Sequence, residues 1–224
     1  MRDVFLLGIE GGIGAAIAGV FEKRGNKITA PRLADMDLAA PGSVVAYLGA
    51  LKLEPDVIIH SAGINTPKPV EQITPEDMER THAVNYGGFL RVVQHFIPGM
   101  KSRGRGHILA VSSIYGSISR AGRLPYATSK HALNGMIKTM AIEFAPYNIM
   151  ANTISPGFVD TALTRKNNAP DVIKRLESMI PLGRMAAPEE IAEAAYFLCS
   201  PQNTYLTGQD ITVDGAFSAG GFQR

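Results

Sequence analysis

The residues best suited to chemistry are Tyr126 and Lys130, in the run Pro125-Tyr126-Ala127-Thr128-Ser129-Lys130. Spaced i and i+4, they share one face of a helix, so their polar ends can converge on one point. A free phenol, with a pKa of about 10, is a poor base near neutrality. An ammonium beside it favours the phenolate and lowers that value. So placed, Tyr126 can give a proton to a forming alkoxide or take one from an alcohol. Upstream, Ser113 follows the strand-like run Ile108-Leu109-Ala110-Val111. A hydroxyl at the carboxyl end of a strand lies at the mouth of an open α/β sheet, where it can hydrogen-bond an oxygen on which charge develops.

A second chemical signal lies near the start. Gly8-Ile9-Glu10-Gly11-Gly12-Ile13-Gly14 follows an apolar run, Val4 to Leu7, and opens a helix. Glycine admits positive φ and lets backbone amides approach a phosphate with no Cβ in the way. The helix behind such a turn offers unpaired N–H groups and partial positive charge to a pyrophosphate. The turn therefore reads as a dinucleotide site, with G-x-x-x-G-x-G spacing rather than the G-x-G-x-x-G fingerprint.

Both signals need elements to hold them. Apolar runs predict strands over 4–7, 27–30, 56–60, 107–112, 149–154 and 211–214. Helical spacing covers 15–24, 43–53, 75–100 in one or two pieces with Thr74 as N-cap, 126–144, and 188–199. Strands alternating with helices imply a doubly wound parallel sheet of the Rossmann type, an α/β fold. With 46% apolar residues in 224, the chain reads as one domain over 1–224, with a substrate lid around 158–185. Arg165, Lys166, Lys174 and Arg175 give that lid a basic tint, offset by Asp171 and Glu177, and a solvated helix face explains them as well as an anionic substrate does.

Composition excludes several classes. Net charge is +2 and no long basic run argues for nucleic acid; Lys101 to Arg105 reads as a solvated helix end. Cys199 is the only cysteine, which excludes an internal disulfide, and its apolar surroundings mark it as a structural thiol. His60 reads as a structural histidine, and His82, His95, His107 and His131 lack the spacing of a metal site. The apolar part of the N-terminal run is too short for a signal peptide or membrane span, so a soluble, cytoplasmic protein without a membrane partner is expected.

The Ser…Tyr-x-x-x-Lys spacing together with the glycine turn resembles the short-chain dehydrogenase/reductase family over nearly the whole chain. Ser61-Ala62-Gly63, Val84-Asn85, Pro156-Gly157, Leu206-Thr207-Gly208-Gln209 and Val213-Asp214-Gly215 are also similar to that family. The segment Pro181-Leu182-Gly183-Arg184 followed by Pro188-Glu189-Glu190 resembles its 3-oxoacyl-carrier-protein reductase-like branch. The resemblance implies hydride transfer between a nicotinamide and a carbonyl or secondary alcohol of a small substrate: a keto-sugar, a polyol or a 3-oxoacyl compound. It assigns Ser113 to the substrate oxygen, Tyr126 to the proton, and Lys130 to the ribose hydroxyls. Asn85 would sit in a helix kink that holds a water joining the lysine to solvent. Gly8, Glu10, Gly12, Ile13 and Gly14 would line the cofactor, as would Ala62, Gly63, Pro156 and Gly157. Val159 and Thr161 would meet the carboxamide, and Asp37 with Leu38 the adenine. A homotetramer or homodimer is implied, built through the long helices around Asn85 and Tyr126 and the tail Ala216 to Phe222.

The sequence also departs from that family. Leu7 replaces a threonine, His60-Ser61 replaces Asn-Asn, and the region after the second strand lacks about a helix and a strand. At the end of that strand Arg32 can pair with a 2′-phosphate. Glu10 in the glycine turn would repel the phosphate unless it pairs with Arg32. NADP(H) is the favoured cofactor and NAD(H) the alternative. Two other readings stay open: a sugar-modifying epimerase or dehydratase of the same fold, and a non-catalytic dinucleotide-binding regulator.

Overall fold

The computed structural model describes residues 1–220, without the side chains at positions 163 and 167. Gly221 and Phe222 of the tail lie outside the described residues. Six parallel strands form one sheet in the order β2-β1-β3-β4-β5-β6. They are β1 (Asp3–Leu7), β2 (Lys27–Thr29), β3 (Val57–His60), β4 (Gly106–Val111), β5 (Ile149–Pro156) and β6 (Asp210–Val213). β1 pairs with β2 on one side and β3 on the other, so the chain reverses its winding direction there. Ligands of open α/β sheets bind at such a reversal, outside the carboxyl ends of the strands. β2 is the sheet edge, which is the shortening expected after the second strand.

Alternation along buried strands builds two cores. Phe5, Leu7 and Ile58 face one side, packing on α2 (Pro41–Ala50), α4 (Gly88–Arg103) and α5 (Leu124–Phe144) through Val44, Phe89, Phe96, Leu133 and Ile137. Val4, Leu6, Val57 and Ile59 face the other, packing on α1 (Gly12–Lys23) and α8 (Pro188–Cys199) through Ile17, Phe21, Ile191 and Leu198. Each such side chain contributes about 1.5–3 kcal/mol when fully buried. Cys199 belongs to the second core, where burial pushes its thiol up to about 12. No helix of the described residues is long and apolar enough to cross a membrane.

Three differences from the sequence reading matter for the site. α1 begins at Gly12, three residues before the predicted start, because the glycines at its head adopt the helix rather than precede it. The predicted helix over 75–100 is broken into α3 (Pro75–His82), a π-helical turn (Ala83–Gly87) and α4. Thr74 does cap α3, accepting from Asp77 N–H while the Asp77 carboxylate accepts from Thr74 N–H. Between β5 and α8, two helices that the apolar pattern did not predict, α6 (Ala162–Asn167) and α7 (Pro170–Met179), form an excursion. Its ends are zipped by a bridge between Val159 and Ala186, with Ala186 N–H donating to the Phe158 carbonyl.

Candidate active site

The carboxyl ends of β1, β3, β4 and β5 open into a cleft of about 280 Å³. Its floor is the glycine turn. Leu7 lies opposite His60 in register, and Ser61 N–H donates to the Leu7 carbonyl. Gly8 therefore runs against the loop after β3: at φ +89° a Cβ there would lie 2.4 Å from the Ala62 nitrogen. A Cβ on Gly14 would sit 2.0 Å from the Gly8 carbonyl oxygen, so that carbonyl is in van der Waals contact with the helix head. A cradle of bare glycine backbone on the first turn of α1, with the Thr161 side chain beside Gly12, fits the phosphates of a dinucleotide.

The structure brings Gly12, Ile13, Gly14, Gly63, Ser113, Tyr126, Lys130, Pro156, Gly157, Val159 and Thr161 to the cleft wall. Ser113 follows β4 and caps a short turn, its hydroxyl accepting from Tyr115 N–H at 3.1 Å. Tyr126 and Lys130 occupy the first turns of α5, where Pro125 starts the helix. Lys130 is 3% exposed; its ammonium donates to the Val111 carbonyl at 2.8 Å and lies 5.5 Å from the Tyr126 ring centroid. Burial pulls the Lys130 pKa down to about 8.

The expected lowering of Tyr126 by Lys130 is not what governs this phenol. Burial raises its pKa above the usual value, and the groups that pull it back are the Ser113 hydroxyl and the Arg123 charge. The physical reason is that the phenol is withdrawn from solvent, and removing a charge from water costs more than the neighbouring hydroxyl and guanidinium return.

Asn85 is buried behind the cleft rather than on its wall. The π-helical turn swings it between the loop after β3 and α5. Its side chain accepts from Ile64 N–H at 2.8 Å and donates to the Ile64 carbonyl and to the Ser129 hydroxyl, the latter at 2.8 Å. Ser129 donates in turn to the Tyr126 carbonyl at 2.7 Å. Ser129 thus ties Asn85 to the catalytic helix, a role the sequence reading did not assign; its i+3 spacing from Tyr126 was the available signal.

His60 proves to be part of this framework. It is fully buried, stacked on Phe89, and its Nε2 lies 2.8 Å from the Asn85 carbonyl. Because a carbonyl only accepts, Nε2 carries the hydrogen and Nδ1, which has no partner among the described residues, is bare. Burial and the Lys130 charge hold its pKa near 3, so the ring is neutral.

Six expected cofactor residues, Gly8, Glu10, Arg32, Asp37, Leu38 and Ala62, do not line the cleft. Asp37 is spent on its own loop, accepting from Ala39 N–H while its amide donates to the Ser43 hydroxyl. Leu38 is buried in the first core, pressed so closely on α4 that a Cβ on Gly88 would lie 2.8 Å from it. Glu10 does not neutralise Arg32; its carboxylate accepts from Leu33 N–H at 2.9 Å. Arg32 is exposed and forms no ion pair with the described residues. Ala62 contributes backbone against Gly8. The sequence reading also passed over Asn65, Arg120 and Arg123, which do line the cleft.

Residues 31–218 match the family model described as "Enoyl-(Acyl carrier protein) reductase". An acetoacetyl-CoA reductase from Synechocystis is 33% identical, the match covering 96% of this chain and 95% of that protein. The chain belongs to the short-chain dehydrogenase/reductase family. Solved members superpose closely. A structure from Beutenbergia cavernae, described as an NAD(P)-dependent gluconate 5-dehydrogenase with bound NADP, gives a TM-score of 0.92 at 27% identity, covering 97% of each chain. A 3-oxoacyl-[acyl-carrier protein] reductase from Brucella melitensis with bound NAD gives 0.85 at 28%, covering 96% of this chain and 90% of that one. Like these relatives, the chain is an NAD(P)-dependent oxidoreductase working between nicotinamide and a carbonyl or secondary alcohol.

Proposed function

We propose that the chain interconverts a carbonyl and a secondary alcohol on a small substrate, with Tyr126 as the proton donor and acceptor. The observation that carries this is the convergence of Ser113, Tyr126 and Lys130 at the carboxyl end of β4, beside the glycine cradle. When bound, the nicotinamide supplies or takes up the hydride at the substrate carbon. Ser113 holds the substrate oxygen, and the Tyr126 hydroxyl gives it a proton as charge builds there. The Lys130 ammonium, fixed by the Val111 carbonyl, stabilises the phenolate left behind and returns a proton to it. Asn85 and Ser129 hold the helix and loop in register for that transfer.

NADP(H) is the preferred cofactor in this reading. Arg32 is exposed and not paired with Glu10, which leaves its guanidinium for a 2′-phosphate against the repulsion that the Glu10 carboxylate, held by Leu33 N–H, still exerts. The excursion over 158–185 serves as the substrate lid of a single domain. The molecule works in the cytoplasm, where its single buried thiol suits a reducing milieu. It assembles as a homotetramer or homodimer through α4 and α5, whose outer faces expose Leu90 and Ile142.

Titration of nicotinamide fluorescence with NADPH and with NADH, followed by a panel of keto-sugars, 3-oxoacyl thioesters and keto acids, tests the reading. Tight binding with oxidation of NADPH is the expected result. Binding of neither cofactor would overturn it.

A further inference from the structure

Five arginines among the described residues are ion-paired. Arg24, Arg103, Arg105, Arg165 and Arg184 each meet a carboxylate. Arg165, on which a basic lid would depend, is neutralised by Asp160 through two hydrogen bonds. Arg120 and Arg123, like Arg32, Arg80, Arg91 and Arg175, have no side-chain hydrogen bond or ion pair with the described residues, but of these six only Arg120 and Arg123 line the cleft. No aspartate or glutamate lines the cleft with them. Two cations therefore face the reaction site with no internal counter-charge.

Their position is held. Arg123 is the N-cap of α5, and its carbonyl accepts from Ala127 N–H at 2.7 Å. The neighbouring Gly122 carbonyl accepts from Lys68 N–H, and the Lys68 ammonium is locked to Asp77. The Arg123 charge is felt at the Tyr126 hydroxyl, whose pKa it lowers. Phe158, Leu176, Ile114 and Tyr115 give the cleft an apolar part, alongside the neutral polar side chains of Asn65, Thr164 and Asn168. A planar guanidinium offers paired donors that match a carboxylate, and a hydrogen-bonded charge pair in a partly dry cleft is stronger than a neutral one.

We propose that the substrate is a carboxylic acid, its carboxylate received by Arg123 and by Arg120 on the same loop while Ser113 and Tyr126 engage its carbonyl oxygen. The substrate class is then a compact keto acid or hydroxy acid with an apolar body, rather than a neutral polyol. This rests on the oxidoreductase reading of the same cleft.

The test compares 3-oxobutanoate, 4-oxopentanoate and 4-oxocyclohexanecarboxylate with their methyl esters, in which the charge alone is removed. Wild type should favour at least one acid over its ester in kcat/KM by about tenfold to a hundredfold, the usual worth of a charge-assisted hydrogen bond. In Arg123→Gln that ratio should collapse through KM, with a smaller fall in Arg120→Gln and none in Arg175→Gln, an exposed site on α7. A ratio near one in wild type, or one unmoved by Arg123→Gln, would overturn the proposal while leaving the oxidoreductase reading intact. Calorimetry with cyclohexanecarboxylate and cyclohexanecarboxamide, on enzyme carrying oxidised cofactor, needs no turnover. The acid should bind at least about tenfold tighter, and equal binding would overturn the proposal. Failure to reduce any carbonyl would sink the reaction itself, and the calorimetric comparison would still decide the carboxylate.

Discussion

At the carboxyl end of β4, the groups assigned to proton transfer are buried and cross-tied. At the end of β2, Arg32, assigned to the cofactor's 2′-phosphate, is exposed, and its side chain has no partner among the described residues. Lys130, Asn85, Ser129 and His60 are each within 3% of full burial, and hydrogen bonds link them or their backbones to neighbouring elements. Arg32 lies on the surface; its amide donates to the Asp35 carboxylate and its carbonyl accepts from Asp35 and Met36 N–H, so only its backbone is fixed. The contrast follows from what each end must do. Proton transfer needs pKa values moved by desolvation, which only a packed interior supplies. Discriminating one phosphate needs a charge within reach, and a surface loop can carry that.

Four perturbations sharpen or break this contrast. Tyr126→Phe should have the largest effect, lowering kcat by about 10²- to 10⁴-fold, while fluorescence titration still shows cofactor binding. Unchanged turnover would remove Tyr126 as proton donor and with it the distinction between the two ends.

Next is a pair within one helix. Gly14→Ala sets a Cβ 2.0 Å from the Gly8 carbonyl oxygen, and should cost about 1–3 kcal/mol in urea unfolding together with cofactor affinity. Gly19→Ala, with nothing within 4 Å of its Cβ, should be neutral or stabilise α1 by up to about 1 kcal/mol. Equal effects would mean the cradle is not closely packed.

The third concerns pH. His60 takes up a proton near pH 6.5 when unfolded but only near 3 in the folded protein. Between those values the unfolded state holds more protons, so the His60 contribution is full above pH 6.5 and is lost as pH falls. By pH 5 the loss should reach about 2 kcal/mol. Urea midpoints at pH 8 and pH 5, in wild type and His60→Asn, measure it. An equally steep acid limb in the variant would show that His60 is not the buried group responsible.

The smallest effect belongs to the exposed end. Arg32→Glu should shift the NADPH-over-NADH preference in kcat/KM by about tenfold, without changing the urea midpoint. A loss of stability there would mean that the β2 end is as constrained as the β4 end.

Much of the fold could be read directly, because strands buried on both faces give continuous apolar runs such as Val57-Ile58-Ile59 and helices announce themselves by period and cap, as at Thr74. The break at Ala83–Gly87 was anticipated only through the resemblance, which put a kink at Asn85, since a π-helical turn changes neither composition nor spacing enough to mark it. Tyr126 and Lys130 were legible because their geometry is local to one helix. Asp37 and Leu38 were assigned to the adenine only through the resemblance; spacing along the chain did not show that Leu38 packs under α4 or that Asp37 accepts from Ala39 N–H.

The sequence by itself determined the sheet, the glycine cradle and the Tyr-Lys pair, all of which depend on residues within a few positions of one another. Only the tertiary structure decided that Asn85 reaches Ser129, that His60 is neutral with its hydrogen on Nε2, and that Arg120 and Arg123 face a cleft without a counter-charge. Those properties depend on burial and on partners distant in the chain. Desolvation and hydrogen-bond pairing are fixed by what surrounds a group in space, and spacing along the chain does not encode them.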